Sequence, residues 1–253
     1  MSEISVFEPG GYRFIPGVFQ YSGGVGALPG YRIVRVQLLR PLPLSDGFHL
    51  IERTLRAAGR PLTAFCACEL RSPAPFTESG FREFNESYTI TLRQWSLFDG
   101  TTNPVARSNV CPMFDPPPTA SFHAFAYTEP ADMQAPSFII SGSAEAPEGR
   151  SNYKDHIIRR GDVTPDGLGE KARYVLGEME RRLAAFSATW RDISAAQVYT
   201  VHDIFPLMRG EILARSAAAH GLTWQFCRPP VVDLEYEMDC RRVGAERVID
   251  PVI

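Results

Sequence analysis

The sequence predicts an α+β protein made of two fused copies of one domain, each a mixed β-sheet with two helices packed on one face. Three observations carry this. The 253 residues suit two units of roughly 120 residues each. The same order of elements reads twice along the chain: a strand or strand pair, a helix, a strand, a helix and two closing strands. Each proposed helix also carries a single apolar stripe, so it has one face to bury. The copies are placed at residues 10–128 and 137–248, with 129–136 as the linker, rich in Pro, Ala and acidic residues.

In the first copy, Gly17-Val18-Phe19-Gln20-Tyr21-Ser22-Gly23-Gly24 reads as a short strand ending in Ser-Gly. Phe48, Ile51, Leu55 and Ala58 then mark a helix, with Asp46 as N-cap and Gly59 as the glycine that ends it. A strand follows at Ala64 to Leu70, where Cys66 and Cys68 alternate as same-face packing residues. A second helix shows Phe81, Phe84, Tyr88 and Leu92, capped by Thr77, and the closing strand runs from Ser121 to Tyr127. The second copy repeats this. Ser137 to Ser143 is its Ser-Gly strand. Ala172, Val175, Leu176, Met179, Leu183 and Phe186 share one helical face, with Glu178, Arg181 and Arg182 outside. Ile193 to Val201 is a strand, Leu207 to His220 a helix ended by Gly221, and Leu234 to Cys240 the closing strand.

Composition narrows the function. Net charge is −3 with both signs interleaved, which is not the basic stripe of a nucleic-acid binder. No apolar run approaches the roughly 18 residues of a membrane span, and Met1 to Gly11 has no secretory signal pattern. Five scattered cysteines, an odd count, point to reduced thiols and a cytoplasmic protein. Cys66-Ala-Cys68 has no partner pair at ligand spacing, and His202-Asp203 has no second cluster, so no metal is expected. Gly24 to Gly30 lacks the spacing of a dinucleotide fingerprint and leads into a strand.

Local motifs resemble the RidA (YjgF-type) reactive-intermediate deaminase family. Asn103-Pro104-Val105-Ala106-Arg107-Ser108-Asn109-Val110 is similar to its Pro-Ala-Arg-Ser/Thr-x-Val signature, Phe84-Asn85-Glu86-Ser87-Tyr88 to its Asn-x-x-Tyr, and Ser22-Gly23 to its Ser-Gly. Leu234-Glu235-Tyr236-Glu237-Met238 resembles its Val-Glu-Ile-Glu closing strand. The resemblance implies two RidA-like (chorismate mutase-like) domains, with Arg107 holding a substrate carboxylate and Glu237 positioning water. It also implies substrate contacts from Ser22, Gly23, Asn85 and Asn109, a trimeric homo-oligomer, and sites in clefts between domains. Ungapped alignment puts Leu222 at the second copy's arginine position, while the first copy's closing strand Phe122-His123-Ala124-Phe125 has no glutamate. That division leaves open a composite site across a domain interface or one degenerate site.

Hydrolysis of a 2-imino or 2-enamino acid needs a fixed carboxylate, an aimed water and a proton for the departing nitrogen. A guanidinium fork suits the first task and an enclosed glutamate the second; no cofactor is needed. His123 is either a stand-in acid/base or a half-buried strand histidine. Glu69-Leu70-Arg71 either lines the cleft or forms an ordinary ion pair. Tyr12 is placed, by position alone, as an aromatic closing a neighbour's pocket. The expected function is deamination of a small enamine or imine carboxylate, 2-aminomuconate-type dienoates being the specific choice. The alternatives are a chorismatase-like hydrolase and a non-catalytic binder of carboxylate metabolites.

Overall fold

A computed structural model describes residues 3–132 and 136–251. The strands and helices run β1 (Ser5–Phe7), β2 (Tyr12–Ile15), β3 (Gly24–Ala27), β4 (Tyr31–Pro43), α1 (Leu44–Ala57), β5 (Phe65–Arg71), α2 (Glu78–Gln94), β6 (Ala106–Pro112), β7 (Ser121–Pro130), β8 (Phe138–Ala144), α3 (Pro165–Ala185) and β9 (Ala195–Tyr199). There follow α4 (Phe205–Leu207), β10 (Thr223–Gln225), β11 (Cys227–Arg228), β12 (Glu237–Arg242) and β13 (Ala245–Ile249). They form two mixed sheets, ordered β1-β2-β3-β8-β12-β9-β10 and β11-β6-β5-β7-β4-β13.

The duplication is visible in that order. β4, β5, β6 and β7 pair as β6-β5-β7-β4, and β8, β9, β10 and β12 pair as β10-β9-β12-β8. In each set the first pair is parallel and the others antiparallel. The copies also trade strands. β3 extends the second copy's sheet beside β8, while β11 and β13 extend the first copy's sheet. Segment 129–136 overlaps the end of β7, and its residues 133–135 lie outside the described residues.

Helices cover the outer faces. Phe48, Ile51, Leu55, Tyr88 and Leu92 pack on the six-stranded sheet, and Ala172, Val175, Leu176, Met179 and Leu183 on the seven-stranded one. Helix ends follow local chemistry. Thr77 and Thr164 accept the Gly80 and Gly167 N–H groups at the starts of α2 and α3. At the end of α1, Gly59 adopts φ +63°; its N–H reaches Arg56 O and that of Arg60 reaches Leu55 O, a Schellman closure. Pro43, not Asp46, precedes α1; Asp46 sits in the first turn, where its charge favours the helix N-terminus.

A third core lies between the sheets, with Tyr12, Phe14, Val25, Ile33, Cys66 and Ala126. Tyr12 is fully buried there and its hydroxyl donates to Phe65 O at 3.3 Å, so it closes no pocket. Cys66 and Cys68 do not share a face: Cys66 points between the sheets and Cys68 towards α2. The β5–β7 register slips between Phe65 and Ala67, and such a bulge breaks the two-residue alternation. All five cysteines are buried and free.

Three further expectations are corrected. Residues 17–24 form a turn with a Val18–Tyr21 bridge, and the strand begins at Gly24. Residues 207–220 are not a regular helix, because α4 widens into a π turn at Met208–Ile212 and tightens at Leu213–Arg215. Leu207 and Ile212 are both buried, yet an α-helix would set residues five apart about 140° from each other. Ser216, at φ +62°, ends the segment. Arg182, expected outside, is 1% exposed.

The fully buried pair Lys171–Glu145 (3.1 Å) anchors the approach to β12. Glu145 also accepts the Glu235 and Tyr236 N–H groups, at 2.7 and 3.0 Å. Lys171→Met strands this carboxylate, and we expect a loss of about 3–5 kcal/mol in unfolding free energy, measured by denaturant titration. A loss below about 1 kcal/mol refutes the anchoring role.

Candidate active site

Residues of both copies line one small pocket. β6 contributes Arg107 and Asn109, β8 contributes Gly142, and β12 contributes Glu237. Tyr21, Phe81 of α2, Glu148 and Tyr153 complete the lining used below.

The two Ser-Gly motifs of the repeat meet each other here. Ser141 N–H donates to Gly23 O, Ser141 Oγ donates to Ser22 O at 2.6 Å, and Arg107 N–H donates to Ser141 Oγ at 3.1 Å. Ser22 Oγ donates to Pro104 O. Ser22 and Gly23 therefore hold β6 against β8 and do not line the cavity.

Arg107 faces α2 from beneath. Its Nη2 donates to Asn85 Oδ1 at 2.7 Å, and its guanidinium carbon lies 4.9–5.8 Å from the rings of Tyr88, Tyr21, Phe84 and Phe81. Asn85 thus orients the arginine without lining the cavity. Among the described residues, Arg107 Nη1 is buried without a partner, and so is Asn109 Nδ2, whose Oδ1 accepts from Ser72. Buried donors are costly when left unpaired. They suit a ligand that brings acceptor oxygens, and an arginine fork with an amide is a donor set for a carboxylate.

Glu237 is 4% exposed, and among the described residues its carboxyl makes no hydrogen bond. Burial pushes its pKa well above the usual carboxylate range; Asp239, Glu145 and Glu148 push it further, and Arg107 only partly opposes them. Burial among like charges thus favours the protonated form of this carboxyl. Gly142 makes room for it, since a Cβ there would overlap Glu237 Oε1.

Other sequence candidates lie elsewhere. Glu69 takes a bidentate pair from Arg35, at 2.6 and 2.9 Å, in a second cavity whose lining also includes Arg107, Asp239 and Arg241. Burial raises the Glu69 carboxyl, but Arg35 outweighs it and holds it below the usual range. Arg71 donates to Gln225 Oε1 and lies over Tyr199. His123, pushed down to about 4 by burial and by Arg71, is absent from the Arg107 cavity. It is neutral at physiological pH. The ion-pair alternative for Glu69 and the strand-histidine alternative for His123 match these positions.

Sequence reasoning missed Tyr21, Gly142, Glu148, Tyr153 and Arg182. Tyr21 and Gly142 adjoin the Ser-Gly motifs, a signal that could have found them. Glu148 and Tyr153 lie in the irregular segment after β8, where no periodicity marks a residue. Among the described residues no cluster suits a metal ion, and no helix is long and apolar enough to cross a membrane.

Fold and site together define an α+β protein of two mixed sheets whose pocket sets two donors, unpaired among the described residues, beside a carboxyl of raised pKa. The family model described as 2-aminomuconate deaminase CnbZ matches residues 4–247, and the chain belongs to that family, whose activity is at carbon–nitrogen bonds. It is 49% identical over 251 residues, 98% of this chain and all of the other, to the 2-amino-5-chloromuconate deaminase of Comamonas testosteroni. Among solved structures it resembles a chorismatase, with TM-score 0.52 and 13% identity over 88% of this chain and 77% of that one; at that identity the likeness concerns the fold alone. The YjgF gene product of E. coli aligns with 43% of this chain and 80% of its own, at 19% identity and TM-score 0.30.

Proposed function

We propose that the chain hydrolyses the carbon–nitrogen bond of a 2-aminomuconate-type dienoate and releases ammonia. The observation that carries this is the meeting of Arg107 from one copy and Glu237 from the other in a single cavity. The substrate's carboxylate next to the nitrogen-bearing carbon takes Arg107 Nη1 and Asn109 Nδ2. That places the imine carbon beside Glu237, whose proton goes to the nitrogen as water adds. Positioning contributes most of the acceleration, because imines and enamines hydrolyse unaided. The step needs no cofactor.

The relative's printed substrate, a chlorinated aminomuconate, supports the choice of dienoate. A cytoplasmic location and a trimer of chains belong to the same reading, as does the division 10–128, 129–136 and 137–248. Arg107 and Glu237 meet within one chain, so the pairing does not depend on the trimer; sedimentation of the purified protein tests the assembly separately.

Freshly generated 2-aminomuconate is expected to release ammonia with the wild-type protein well above its spontaneous rate. Release at the spontaneous rate, or chorismate depletion without ammonia release from 2-aminomuconate, overturns the reading.

A further inference from the structure

We infer that Glu148, held by Arg182 and Tyr21, is a second catalytic carboxylate of this pocket and takes the proton of the attacking water. The inference rests on the deaminase reading above and adds a residue that neither the resemblance nor the repeat marks. Two carboxyl groups line the cavity, Glu237 and Glu148, and their surroundings are opposite. Glu237 is buried without a hydrogen bond among the described residues and faces mostly like charge. Glu148 Oε1 accepts from Arg182 Nη2 at 2.8 Å and from the Tyr21 hydroxyl at 3.1 Å.

Arg182 is itself tied to the pocket wall. Its Nη1 donates to the carbonyls of Gly23, Ser141 and Gly142 at 3.2–3.5 Å. The Glu148 carboxylate is thereby fixed to both Ser-Gly motifs, and its Oε2 accepts no hydrogen bond among the described residues. That oxygen can take a water. A carboxylate fixed by an arginine and a tyrosine hydroxyl, sharing a pocket with a carboxyl that no donor holds among the described residues, is the arrangement of a base beside an acid.

The 2-amino-diene first passes to its imine tautomer, nitrogen giving one proton to solvent as a diene carbon takes one from it; the steps that follow balance with these two groups. Water loses a proton to Glu148 as its oxygen bonds to the imine carbon, and the C=N π pair moves to nitrogen, which takes the Glu237 proton. The product is a carbinolamine. In its collapse the C–N bond breaks with its pair on nitrogen, which takes the proton now on Glu148 and leaves as ammonia. The carbinolamine hydroxyl proton returns to Glu237 as the carbonyl forms. Both carboxyls end as they began.

Glu148→Gln keeps an oxygen for Tyr21 and Arg182 but cannot accept the water's proton. The test is ammonia release from 2-aminomuconate, together with binding of cis,cis-muconate, an unreactive diacid, and thermal unfolding. Expected is a fall in kcat of about 100-fold, with muconate affinity within twofold of wild type. Should Glu148→Gln not fold, Tyr21→Phe carries the test: it removes only the hydroxyl donor and should lower kcat about tenfold. An unchanged kcat in the folded variant, or muconate binding lost in step with kcat, overturns the assignment while an active wild type keeps the deaminase reading. A wild type that releases no ammonia overturns both.

Discussion

Replacing Arg107 by alanine should lower kcat/KM for 2-aminomuconate by about a thousandfold. Truncating one partner of a buried charge-assisted contact costs roughly 2–5 kcal/mol, and every 1.4 kcal/mol is a factor of ten. Arg107 would contribute at that level because its guanidinium is 3% exposed and has one nitrogen still unpaired. Muconate binding should weaken in parallel, since the interaction exists before the chemical step. Arg107→Lys should recover little, because an ammonium cannot hold Asn85 and a carboxylate with the same fork. A loss in kcat/KM smaller than tenfold in Arg107→Ala would place the substrate carboxylate elsewhere.

Glu237→Gln should cut kcat by about 10²–10⁴-fold, the range for a positioned general acid, with little change in muconate affinity. The pH dependence separates an acid from a structural residue. Folding raises the Glu237 pKa above its unfolded value, so the wild type is active with the group protonated and loses activity as pH rises through the raised pKa. Stability follows the same sign. The neutral group's contribution is complete below the usual carboxylate pKa and is lost as pH rises through the folded value. Glu237→Gln cannot ionise there, so its Tm should exceed that of the wild type at alkaline pH and converge with it at acid pH. Equal alkaline limbs in the two pH–rate profiles, or a Tm difference independent of pH, would mean that Glu237 is not the titrating acid.

Several elements were legible because their signals are local. The α3 stripe from Ala172 to Leu183 is buried as the spacing of three and four requires, and Thr77 caps α2. The duplication read from element order reappears as the same strand order in both sheets. Arg107 and Glu237 came from short motifs on well-marked strands. The misses share a cause. Cys66 and Cys68 part company because a bulge defeats alternation, and α4 departs from helix because Leu207 and Ile212 both reach the core. Arg182 reads as a surface residue by pattern and is buried, its two terminal nitrogens donating to carbonyls of both copies and to Glu148.

Sequence alone determined the α+β fold class and singled out Arg107 and Glu237 as candidates, because periodicity, capping and short motifs are properties of neighbours along the chain. Only the tertiary structure decided that Arg107 and Glu237 share one cavity, that His123, Glu69 and Arg71 stand outside it, and that Tyr21 and Glu148 stand inside. Those outcomes depend on which strands pair across the two copies and on how much water the packed walls exclude. Burial raises the Glu237 carboxyl, and the pocket walls around it include residues more than a hundred positions away in the chain, such as Phe81 and Arg107.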